Sequence, residues 1–127
     1  PSYLTEEWSN VLAKFNHTCA KWYTTDITSA AISKLGLNTA LAAKVATFNS
    51  IYQACEDQGA DWTVVRAAIA NDWRIGIGQT DVPGPDGQFG FGGKCLPKDV
   101  VAMAKLVNNN VYINAITSYN NTLRKEN

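Results

Sequence analysis

Apolar residues recur along most of this chain at intervals of three and four, the spacing that gathers side chains on one face of an α-helix. The clearest stretch steps through Ile27, Ala31, Lys34, Asn38, Leu41, Val45, Phe48, Tyr52 and Cys55. It predicts a long helix that begins after Asp26 and runs to about Gln58, where Gly59 supplies a stop. Two members of the stripe, Lys34 and Asn38, are polar. A lysine aimed at a core must find a partner or line a polar cavity, or else snorkel from the edge of the stripe. Gly36, in mid-helix, costs about 1 kcal/mol relative to alanine, which is consistent with something packing closely against the backbone there. The lower half of the stripe, Leu41 to Cys55, reads as core or as a surface for a partner helix.

Other stretches follow the same period. Thr5 is a candidate cap for a short helix with Glu6 and Glu7 in its first turn, running through Val11, Leu12 and Phe15. Trp22-Tyr23-Thr24-Thr25 reads as a short extended piece. Asp61 is placed to cap a helix through Val64, Val65, Ala68 and Ile69. A Pro/Gly-rich loop follows from Gly76 to Gly93, then a helix from Asp99 to Val107, a turn at Asn108-Asn109-Asn110, and a last helix carrying Ile113, Ile116, Tyr119 and Leu123. There is no internal repeat and no domain linker. The prediction is an all-α helical bundle around one long central helix.

Composition narrows the function classes. The 127 residues carry 11 basic and 11 acidic side chains, a net charge of zero that argues against nucleic acid or an anionic membrane as partner. No apolar run approaches a membrane span, and the N-terminus lacks a signal-peptide pattern. Three cysteines without a C-x-x-C spacing give neither a disulfide framework nor a zinc site. A reducing cytoplasm fits best, and the sequons at Asn16 and Asn120 are then chance matches. The lone His17 has no evident partner.

Candidate chemistry gathers at Gly90-Phe91-Gly92-Gly93-Lys94-Cys95-Leu96-Pro97-Lys98-Asp99. Pro97 suits the first turn of a helix, which puts Cys95 just before a helix N-terminus. The unpaired N–H groups there, with Lys94 and Lys98, favour the thiolate over the thiol. A cysteine is more often inert packing. Packing, however, has no need of glycines at 84, 87, 90, 92 and 93, which let backbone N–H groups approach a ligand, nor of an acid four residues on.

The segment from Val82 to Asp99 closely resembles the catalytic-cysteine loop of the UDP-glucose and GDP-mannose dehydrogenases. Asp72-Trp73-Arg74-Ile75-Gly76 is similar to the family's substrate-binding D-x-R-I-G, and Lys34-Leu35-Gly36-Leu37-Asn38 to its K-x-x-x-N helix signature. The three motifs stand in the family's order. The resemblance implies a central dimerisation domain over 27–127, with the cysteine loop at 76–99 and a trimmed remnant of the NAD-binding domain's end at 1–26.

It also implies roles. Cys95 attacks a C6 aldehyde, and a second hydride transfer turns the thiohemiacetal into a thioester. Lys34 and Asn38 stabilise the oxyanion, and Asp99 orients the hydrolytic water or Lys34. Phe89, Gly90, Phe91, Gly92, Gly93 and Lys98 bind the nucleotide-sugar, and Arg74 reaches it across the dimer interface. Pro1-Ser2-Tyr3-Leu4-Thr5-Glu6 is similar to the family's P-E-[FY]-L-x-E. Glu6 matches the second glutamate, but Ser2 replaces the first, and a hydroxyl cannot act as the carboxylate base.

The family uses NAD, yet no G-x-G-x-x-G follows a strand here, so this chain is expected to bind no cofactor itself. The expectation is a module that keeps the cysteine site and cannot transfer hydride alone. Such a module binds a nucleotide-sugar, forms a homodimer through the long helix, or pairs with a full-length nucleotide-sugar dehydrogenase. A stand-alone cysteine hydrolase, one subunit of a split dehydrogenase completed by a separate Rossmann chain, and a structural dimer relic are the alternatives.

Overall fold

The computed structural model describes residues 25–125, together with Asn10 and Tyr23. Its elements are α1 (Ile27–Gln58), α2 (Trp62–Ala70), α3 (Cys95–Leu106) and α4 (Val111–Lys125). There is no strand among the described residues, so the all-α class holds. The short helix expected from Thr5 lies outside the described residues except for Asn10, which is helical. Tyr23 and Thr25 belong to neither helix nor strand; Trp22 and Thr24 lie outside the described residues.

Two chain-end devices fix α1 where the spacing put it. At the start, the Asp26 carboxylate accepts from the Ser29 N–H at 2.9 Å and the Ser29 hydroxyl at 2.6 Å, satisfying a donor with no partner inside the helix. At the end, Gly59 adopts φ +67°, the left-handed conformation that costs glycine nothing. Ala60 N–H then reaches Cys55 O at 2.9 Å and Gly59 N–H reaches Glu56 O at 3.4 Å, a Schellman closure. Asp61 caps α2 as its position predicts, accepting from Thr63 N–H at 2.8 Å.

The chain divides into two units, 1–31 and 32–127, the boundary falling within α1. The second unit holds the core. Ala42, Val45 and Ala46 of α1 meet Val100 and Ala104 of α3, Ile113 and Ile116 of α4, and Phe91 from the glycine loop. A second group of rings covers the lower end of α1. Trp62 packs edge-on against Tyr52 and Phe48, with centroids 5.4 and 6.3 Å away, and Tyr52 also meets Phe89 at 5.6 Å.

The expectations for α1 and α3 need correction in part. Val45, Phe48 and Cys55 of the predicted stripe are buried, joined by Thr39, Ala42, Ala46 and Asn49 beside it, whereas the stripe's first member, Ile27, is 89% exposed. Of the stretch read as core or as a surface for a partner helix, Val45 and Phe48 are core: this chain's own loop and α2 cover them, because a phenylalanine and a tryptophan fold back onto that side. Nothing packs closely at Gly36, where an added Cβ would meet no atom within 4 Å. Finally, α3 starts at Cys95, four residues before the predicted Asp99. Pro97 permits this, since the N–H it lacks would be unpaired anyway in the first turn.

The loop between α2 and α3 has no regular structure, so side chains pin it. Lys44 donates to Ile75 O and Gly76 O at 2.7 and 2.9 Å. Arg66 holds the fully buried Thr80 through its carbonyl and hydroxyl and pairs with Asp81.

Candidate functional site

Asp99 stands one helical turn after Cys95, and an i, i+4 spacing puts the two on the same face of α3. Although only 1% exposed, Asp99 is fully partnered. Its Oδ2 accepts from Lys34 Nζ at 2.5 Å and Asn38 Nδ2 at 2.6 Å, both from the upper half of α1. Its Oδ1 faces Lys98 Nζ at 3.0 Å. These donors hold the carboxyl far below the usual carboxylate range, Lys34 contributing most, then Lys98 and Asn38. In return Asp99 pushes Lys98 up, with a smaller push in the same direction from Cys95. The two polar intruders of the α1 stripe are thus explained together. Lys34 keeps 63% of its side chain exposed and still finds a buried partner across 65 positions of chain.

Cys95 is exposed and is the first residue of α3. Lys94, the residue before it, makes no side-chain cap bond, so no side chain of its own caps the N–H groups of the first turn. The glycine run leading to the thiol borders a cavity of about 300 Å³. Gly90 to Gly93 form one wall, Val45 and Leu96 add apolar surface, and Asp86 and Arg124 supply charge. Arg124 bridges Asp86 at 2.9 Å and Gln88 at 2.8 Å, which lowers the Asp86 carboxyl below its ordinary value.

The predicted residues therefore sort by place. Lys34 and Asn38 of α1 meet Asp99, which also faces Lys98, in the first turns of α3, the helix that Cys95 begins. Gly90, Phe91, Gly92 and Gly93 line the adjoining cavity, and Phe91 is at the same time a core side chain. Phe89 turns away, lining a separate cavity of about 260 Å³ with Tyr52, Glu56 and Leu123. Arg74 is not in the cluster; it binds its own neighbour Asp72 at 2.6 Å and stays largely exposed. Glu6 lies outside the described residues.

Sequence reasoning missed Asn49, Asn120 and Arg124. Asn49 Oδ1 accepts from Gly90 N–H at 3.0 Å, and Asn120 bonds both the N–H and the carbonyl of Phe91, at 2.6 and 3.0 Å. The available signal was an amide on the inward side of a helix, Asn120 standing four after Ile116 and seven after Ile113. Among the described residues no group of three or more His, Cys, Asp or Glu is placed to hold a metal. The described residues include no strand to carry a dinucleotide-binding glycine turn, and Gly90-Phe91-Gly92-Gly93 opens onto a cysteine.

Comparison with known proteins gives the family. Residues 28–123 match the model of the UDP-glucose/GDP-mannose dehydrogenase family, central domain. The UDP-glucose 6-dehydrogenase of Rickettsia bellii is 40% identical over 86 residues, covering 68% of this chain and 19% of that protein. The Bacillus subtilis UDP-glucose 6-dehydrogenase is 39% identical over 92 residues, with the same shares of 68% and 19%. That of Gallus gallus is 40% identical over 86 residues, covering 68% of this chain and 16% of the relative. The chain thus spans less than a fifth of the length of these relatives. With the family's central-domain model matching most of its length, the chain belongs to the UDP-glucose/GDP-mannose dehydrogenase family.

Proposed function

We propose that this chain binds a nucleotide-sugar, UDP-glucose first among candidates, at the cavity beside its glycine loop and presents the Cys95 thiol to the sugar's C6. The observation that carries this reading is the convergence of Lys34, Asn38 and Lys98 on Asp99, one turn from Cys95. Buried charge of this kind needs a reason, and a thiol on the same helix face supplies one.

The chemistry open to these residues is nucleophilic addition. With a C6 aldehyde, Cys95 Sγ forms the S–C bond, and the carbonyl π pair moves to oxygen, which then takes a proton. The Lys34 ammonium and the Asn38 amide donate to the developing oxyanion. Asp99 keeps both donors at the head of α3, and Lys98 offers charge to the diphosphate. Hydrolysis of an acyl product is weakened, because Ser2 stands where the family's glutamate base belongs.

Hydride transfer requires a dinucleotide fold from outside these 127 residues, so the chain alone does not oxidise its ligand. A full-length nucleotide-sugar dehydrogenase or a separate Rossmann subunit is the partner that completes it. Self-association as a homodimer through α1 remains part of the reading, now through Leu37, which is 61% exposed, and Ile32 rather than through Val45 and Phe48. A cytoplasmic setting suits the free thiols of Cys55 and Cys95. No helix among the described residues is long and apolar enough to cross a membrane.

Calorimetric titration tests the reading. UDP-glucose binds the wild type, and Lys98→Ala, which removes the charge offered to the diphosphate, weakens binding by roughly tenfold or more, the scale of one lost charged hydrogen bond. Absence of UDP-glucose or GDP-mannose binding at millimolar ligand contradicts it.

A further inference from the structure

Gly90 and Phe91 lie in a loop, buried, with no strand or helix to take up their peptide groups. All four of their backbone polar groups are instead bonded to side chains. Gly90 N–H goes to Asn49, Gly90 O to Arg124 at 3.2 Å, and the Phe91 N–H and carbonyl both go to Asn120. Asn120 thus does what a neighbouring strand does, donating to and accepting from a single residue. An ionised aspartate cannot donate and a leucine can do neither, so the amide is required for its chemistry and not for its volume.

The position of this clamp along the chain gives it a consequence. Phe91 is four residues before Cys95, and Asp99, held by Lys34 and Asn38, is four residues after it. Gly92 and Gly93 lie between Phe91 and Lys94, and Gly93 adopts φ +76°. Those glycines carry no side chain to fix the approach, so the Phe91 peptide is the last firm point ahead of the thiol.

We infer that Asn120, seconded by Asn49 and Arg124, is a positioning residue for Cys95. The thiol is strung between two anchors, one made by α4 on Phe91 and one made by α1 on Asp99, and the placing of α4 sets its reactivity. This rests on Cys95 being the reacting group of the proposed site.

The test uses Asn120→Asp, which keeps the shape and the acceptor but loses the donor while ionised. Three readouts are taken against pH: protection of the Phe91 amide from hydrogen exchange, protection of the α1 amides around Val45, and the ratio of iodoacetamide alkylation at Cys95 to that at Cys55. At neutral pH the variant loses roughly ten- to hundredfold of Phe91 protection, the effect of one buried carbonyl left unpaired, while α1 protection holds. The Cys95 to Cys55 ratio shifts with it, and acidification, which restores an O–H donor, returns both to wild-type values.

Unchanged Phe91 protection, or a parallel shift of Phe91, α1 and both cysteines, overturns the inference, since general loosening would do the latter. Should Asn120→Asp not fold, Arg124→Gln removes the Gly90 carbonyl partner together with the bonds to Asp86 and Gln88. It then selectively lowers Gly90 and Phe91 protection and moves the Cys95 ratio, and no change in either overturns the inference. UDP-glucose binding by the wild type is measured separately. Its absence defeats the nucleotide-sugar reading, whereas Phe91 and Cys95 decide the clamp.

Discussion

Burying a carboxylate is costly unless its oxygens are filled, and Asp99 fills them with three nitrogens from two helices. Its pKa in the fold lies below the ordinary 3.8, so its contribution to stability is present above that value and is lost as pH falls through it toward the folded pKa. Asp99→Asn is therefore expected to destabilise the protein at neutral pH and to flatten the fall in urea midpoint below about pH 3.8; an acid limb as steep as the wild type's contradicts the pairing. A second expectation concerns the thiols. Cys95 is exposed and Cys55 buried, so Cys95 is alkylated at least about tenfold faster, followed by peptide mass. Residue-scale chemistry was partly legible. Lys34 and Asn38 stood out because each breaks an apolar stripe, and Cys95 because glycines flank it. Asn49 and Asn120 did not, because an amide on the inward side of a helix does not reveal which distant loop peptide it bonds.

Among the elements, boundaries set by caps were the readable ones. Asp26, Gly59 and Asp61 each act through a neighbour two to five residues away, and α1 and α2 begin and end accordingly. The start of α3 was misplaced because Lys94 offers no side-chain cap to announce it, and the inward face of α1 proved wider than the stripe because Ala42 and Ala46, beside it, are buried as well. Two glycines of similar surroundings should behave oppositely. Neither Gly36 nor Gly59 has an atom within 4 Å of an added Cβ. Gly36→Ala is expected to stabilise by about 1 kcal/mol through helix propensity. Gly59→Ala, forced into φ +67°, should destabilise by about 1 kcal/mol. Urea denaturation of both variants checks the signs, and a destabilising Gly36→Ala would show that something covers that stretch of α1 in solution.

For the molecule as a whole, the class was legible from period alone, since apolar positions at helical spacing fill nearly all of the chain outside the Pro/Gly loop. The packing of that loop was not, because it depends on Phe91 entering the core and on three side chains from α1 and α4. The proposed dimer is checked by sedimentation at micromolar concentration. Leu37→Glu is the informative variant because it leaves the core intact, and a wild-type monomer contradicts the dimer. The central question is whether the thiol and the nucleotide-sugar share one site. The direct measurement is protection of Cys95 from iodoacetamide by UDP-glucose, with Cys55 as internal reference. A saturable slowing at Cys95 alone, reduced in Lys98→Ala, is the result expected. Alkylation of Cys95 at an unchanged rate under millimolar UDP-glucose contradicts it.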